Sequence, residues 1–156
     1  SKYKYKNCSQ IRFHNRYLIN LISRILSDDY KLIVLGLSNE IKELALHFNE
    51  FPKQKLDFNS SSLRESIYTV SRAKVCITMD SGFGHIASSL GVKHLFICGP
   101  ADPNLVKPIF KNSKILFKIN HECQPCNKYL CNQKENYCLS RLDKSSITKF
   151  ISENYY

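Results

Sequence analysis

Short apolar runs alternate with stretches of helical periodicity along nearly the whole chain. Lys31–Leu35 (KLIVL), Val75–Met79 (VCITM) and His94–Cys98 (HLFIC) read as strands, with 54–58 a weaker one and Lys114–Ile119 a last one of alternating character. Between and around them, Phe13, Tyr17, Leu18, Leu21, Ile22, Ile25 and Leu26 recur at helical spacing over 12–26. A second helix is predicted from Ser38, as its cap, to about Phe48, with Glu40 and Glu43 at its positive end. Ser62-Leu63-Arg64-Glu65 is a capping box that opens a third, running to about Arg72. A short helix to Leu90, ended by Gly91, and a closing helix at about 144–154 with Asp143 near its cap complete the pattern. Strands apolar on both faces need cover on both faces. The alternation therefore predicts an α/β fold: a parallel sheet covered by helices.

At 156 residues the chain is long enough for one domain, 1–156, burying roughly 70% of the surface its unfolded form would expose. It opens on a helix after a basic start, so a first strand is expected upstream of residue 1. No apolar run approaches the ~18 residues that a membrane helix needs, and no signal peptide is legible. The expectation is a soluble, cytoplasmic protein. The net charge of +10 favours phosphate-bearing partners, whether nucleotides, nucleic acid or an anionic membrane face. Lysine outnumbers arginine 17 to 6 and the cations are scattered, so a merely lysine-rich composition explains the charge equally well.

The turn Asp80-Ser81-Gly82-Phe83-Gly84-His85 lies between a buried strand and a helix start. Ligands of open parallel sheets bind at the carboxyl ends of strands, beside helix N-termini. Glycine lets the backbone come close to an anion, and the first helical turn offers free N–H donors with about half a unit of positive charge. Asp80 suits sugar hydroxyls, Ser81 a phosphate oxygen, and His85 sits one turn into the helix. The plain alternative is a glycine-rich turn in which Asp80 or Ser81 only caps the helix.

Residues 75–103, VCITMDSGFGHIASSLGVKHLFICGPADP, resemble the signature stretch of the family 9 glycosyltransferases, the ADP-heptose:lipopolysaccharide heptosyltransferases and their relatives. Asp80, Ser81, Gly82, His85, Ile86, Ala87, Leu90, Gly91, Gly99, Pro100, Asp102 and Pro103 match the family pattern in order. The likeness extends over roughly 30–153 and takes in the Ser62–Glu65 segment and the clustered cysteines. It implies the C-terminal, donor-binding half of a GT-B fold: a Rossmann-like parallel sheet with helices on both faces. By the same resemblance, the N-terminal domain that carries the catalytic base and acceptor site is expected to be absent from these 156 residues. The implied function is binding of an ADP-heptose-like nucleotide-sugar for an inverting transfer to lipopolysaccharide core or a similar glycan. That transfer needs no cofactor, and the fragment alone is expected to be inactive. By the same resemblance Asp80 contacts the donor sugar; Ser81, Gly82 and His85 surround the diphosphate; Glu40 lies near the ribose; and Arg12 is the nearest counterpart of a family lysine. One departure matters. Pro-Met is frequent between the family's Gly and His, whereas this chain has Phe83-Gly84, and a glycine there is expected to loosen the helix start.

Four of the seven cysteines, Cys123, Cys126, Cys131 and Cys138, fall in an excursion over 121–139. Together they supply enough thiolates for a structural zinc site. Free thiols packing a loop, or disulfides formed on oxidation, are the alternatives. Two rival functions are a nucleotide-sugar 2-epimerase, whose family also has an Asp-Ser-Gly turn, and a zinc-containing nucleic-acid module. The His85-Ile86-Ala87 run favours the transferase over the epimerase. The absence of a basic recognition helix argues against DNA or RNA.

Overall fold

The computed structural model describes residues 18–24, 30–48, 56–117, 122–127 and 142–155. It divides into two compact units, Ser1–Ser66 and Ile67–Tyr156, each taken by itself below.

In the first unit a helix over 18–24 (α1) precedes strand β1, Leu32–Leu35. Helix α2, Ser38–Ala45, then leads to strand β2, Leu56–Asn59. The two strands pair in parallel, Leu32 opposite Leu56 through Leu35 opposite Asn59, which is the pairing a strand–helix–strand unit requires. Ile19, Leu44, Phe48 and Leu56 form the buried core, with Leu32, Val34 and Phe58 packed against it. Helix α2 starts one residue earlier than the sequence predicts. Leu37 is the N-cap residue, and Ser38 is already helical and forms no side-chain cap.

Helix α3, Leu63–Ser71, runs across the boundary between the units. Its capping box is made as predicted. The Glu65 carboxylate accepts from the Ser62 N–H at 2.8 Å and the Ser62 hydroxyl at 2.6 Å, and the Glu65 N–H donates back to that hydroxyl at 3.3 Å. These bonds hold the Glu65 carboxyl below its ordinary range, the Ser62 hydroxyl most of all.

The second unit carries strands β3 (Val75–Met79), β4 (Lys93–Ile97) and β5 (Ser113–Leu116) in the order β3-β4-β5, all parallel. Helix α4, Gly82–Ser89, joins β3 to β4 and lies on both. The closing helix α6, Lys144–Tyr155, also packs on both strands, burying Ile147, Phe150 and Ile151. In β4 the side chains of Leu95, Phe96 and Ile97 are all fully buried, so both faces of that strand are covered. The parallel α/β reading is thus met, with the strands divided between two sheets.

One element was not foreseen. Asp102 caps a single helical turn, α5 (Pro103–Val106), by accepting from the Asn104 N–H at 2.9 Å, and Pro103 takes the first helical position. The Asp-Pro pair is itself the sequence signal for that turn.

Candidate functional site

Strand β3 ends at Met79, and Asp80 donates its backbone N–H to the Ile97 carbonyl at 3.1 Å, tying the turn to the end of β4. Ser81 is extended (φ −163°, ψ 163°) and stands at the N-cap position of α4, but its hydroxyl makes no capping bond. Asp80, Ser81, Gly82 and His85 are all exposed to solvent. Four of the predicted residues therefore meet at one helix N-terminus with their polar groups outward. A turn built only to cap its helix would spend the serine hydroxyl or the aspartate on a first-turn N–H. This one leaves Ser81 uncommitted.

Below the turn the packing is close. A Cβ at Gly84 would lie 2.6 Å from Cε2 of Phe96, 2.7 Å from its Cδ2 and 2.8 Å from Thr78 Oγ1. Gly84 is therefore a contact point between α4 and the sheet. The loosened helix start expected of a glycine here is not what it provides. Lacking a Cβ, it lets α4 settle onto the Phe96 ring. Opposite the turn, the Cys98 thiol is buried and pushed up to about 12, by burial first and then by the carboxylates of Asp80 and Asp102. Beside the turn, an open groove of about 380 Å³ is lined by His85, Ile86, Ser89, Pro108, Ile109 and Phe110.

The loop after β4 is held from an unexpected direction. The N–H groups of Cys126 and Asn127 both donate to the Pro100 carbonyl, at 3.1 and 2.9 Å. The Gln124 amide donates to the Gly99 carbonyl at 3.1 Å, and Asn127 Oδ1 accepts from the Asp102 N–H at 3.0 Å. The Cys123-x-x-Cys126 turn is thus docked on the Gly99–Asp102 loop by four hydrogen bonds. Cys123 and Cys126 are free, half-buried thiols. Cys131 and Cys138 lie outside the described residues. Among the described residues, no three His, Cys, Asp or Glu side chains gather closely enough to hold a metal. Glu40, in the first turn of α2, belongs to the other unit, and Arg12 lies outside the described residues.

Residues 21–137 match the family model described as Glycosyltransferase family 9 (heptosyltransferase). The chain belongs to glycosyltransferase family 9. That match decides between the transferase and epimerase readings of the Asp-Ser-Gly turn. Among curated family relatives, lipooligosaccharide heptosyltransferase 2 of Campylobacter jejuni is 21% identical over 132 residues, 81% of this chain and 42% of that protein. Lipopolysaccharide heptosyltransferase 1 of Pseudomonas aeruginosa is 32% identical over 59 residues, 38% of this chain and 16% of its own length. The solved Escherichia coli ADP-heptose heptosyltransferase II superposes with a TM-score of 0.66 at 15% identity, over 91% of this chain and 40% of that one. E. coli heptosyltransferase WaaC, solved with ADP, gives 0.63 at 24% identity, over 92% and 39%. The family 9 chain thus has the fold of part of a heptosyltransferase and spans less than half the length of those enzymes.

Sequence reasoning missed Thr78, His94 and Phe96, which underlie the turn, and Gln124 and Asn127, which brace the next loop. Alternation along β4 was the available signal for the first group, since it puts His94 and Phe96 on one face. Nothing local marks the second group, because their partners lie 25 residues away.

Proposed function

We propose that this chain is the donor-binding half of an inverting glycosyltransferase that moves a heptose-like sugar from an ADP-sugar to lipopolysaccharide core or a related surface glycan. The observation that carries it is the exposed Asp80–His85 turn, whose N-cap hydroxyl is left uncommitted in a family 9 chain. On this reading Asp80 accepts hydrogen bonds from hydroxyls of the donor sugar. Ser81, the Gly82 backbone and His85 surround the diphosphate. An acceptor hydroxyl, deprotonated by a carboxylate from the rest of the protein, attacks the anomeric carbon; the C–O bond to the diphosphate breaks with its electron pair. The negative charge growing on the leaving group is met by the N-terminus of α4 and by Ser81 and His85.

No metal is needed for that step, so a metal held by Cys123, Cys126, Cys131 and Cys138 would act on folding alone. The setting is the cytoplasmic face of the membrane, where the net charge of +10 favours an anionic surface. No helix among the described residues is long and apolar enough to cross a membrane. Retention on an immobilised ADP-sugar, eluted by free ADP and exceeding retention on DNA, is the expected result. Retention on DNA alone would contradict the proposal.

A further inference from the structure

His85 is exposed and stands one turn into α4, so its own backbone leaves the imidazole free to rotate about two side-chain bonds. What restrains it comes from below. The Phe96 ring is fully buried and lies edge-on to His85, with ring centroids 6.0 Å apart and planes at 61°. It lies edge-on to His94 as well, at 5.9 Å and 76°. His94 is itself fully buried and fixed at both ring nitrogens. Nε2 lies 2.9 Å from Thr78 Oγ1 on β3, and Nδ1 lies 2.9 Å from Ser113 Oγ on β5. Three strands thus hold His94, and His94 abuts Phe96. Phe96 reaches His85 through the space that Gly84 leaves by having no Cβ.

We propose that Phe96 is a positioning residue for His85, and that Gly84 and Phe96 form a matched pair. The glycine admits the ring, and the ring fixes the imidazole beside the phosphate turn. The proposal rests on the reading that His85 faces the donor diphosphate, and it deepens that reading. An aromatic edge contact of this kind restrains its partner enough to change affinity about three- to tenfold. It also explains the Phe83-Gly84 departure from the family pattern: a side chain at 84 and a phenyl ring at 96 exclude each other.

The test is a double-mutant cycle read by calorimetric titration of ADP into the chain, with NMR shifts of the His85 ring protons recorded alongside. Phe96→Leu is expected to remove the ring-current shift at His85 and weaken ADP about three- to tenfold, at temperatures where the fold is intact. In a His85→Ala background the same change is expected to cost nothing more. An equal penalty in both backgrounds, with His85→Ala itself weakening ADP, would overturn the positioning role and leave the donor site standing. Unchanged ADP affinity in His85→Ala would overturn the donor reading and this proposal with it. Should Phe96→Leu not fold, Phe96→Met keeps the volume without the ring and is read by the same criteria.

Discussion

Where β4 passes through the middle of its sheet, a histidine occupies a position that sheets usually give to an aliphatic side chain. Burial, with a smaller contribution from the charge of His85, lowers His94 from an ordinary 6.5 to about 4. Between those values the unfolded chain takes up a proton that the folded chain refuses. The stability contributed by neutral His94 is therefore complete above about pH 6.5 and is lost as pH falls toward 4. Thermal melts between pH 7.5 and about 4.5 should show a falling midpoint, and His94→Gln should flatten that dependence. His94→Leu would instead leave the half-buried hydroxyls of Thr78 and Ser113 without this partner, at a cost of about 1 kcal/mol for each lost hydrogen bond. Gly84→Ala belongs to the same cluster. Its methyl has no room beside Phe96 and Thr78, and the overpacking should cost about 1–3 kcal/mol, measured by denaturant unfolding.

Among the elements, the Cys123–Asn127 turn is tied to the loop that follows β4, and Asn127 does two things there. Its φ of 51° lies in the left-handed region, which asparagine tolerates better than most residues, and its side chain accepts from the Asp102 N–H. Asn127→Gly keeps the backbone and loses the bond; Asn127→Ala loses the bond and strains the backbone. Amide exchange at Asp102 should speed up in both variants, and only Asn127→Ala should add about 1 kcal/mol of destabilisation.

Elements defined by near neighbours were legible in the sequence. The capping box of α3, the apolar β3 and the C-terminal glycine of α4 depend on residues three or four apart or on one backbone preference. Gly91, at φ +74°, is where a helix-ending glycine belongs. The exposed turn at Asp80–His85 was legible for the same reason: strand, glycines and helix follow one another directly. What failed was context. Ser38 looks like a cap by type, but Leu37 holds that place. Gly84 looks like a helix breaker until the strand beneath it is known to present a phenyl ring.

At the scale of the molecule, the chain matches 42% of the length of one curated heptosyltransferase and 40% of a solved one, and the proposed donor-binding role separates binding from transfer. The 156-residue chain should bind ADP-sugar without transferring sugar to any acceptor; turnover by the purified chain would place the catalytic base within it. On the proposed reading the turn after β3 holds the donor, with Asp80 on the sugar. The most direct measurement is a calorimetric titration of ADP and of ADP-heptose into the wild-type chain and into Asp80→Ala. A hydrogen bond to a charged group contributes about 1.5–3 kcal/mol, so Asp80→Ala should weaken ADP-heptose by roughly ten- to a hundredfold while ADP changes little. Equal losses for the two ligands, or binding that ignores the substitution, would contradict the account.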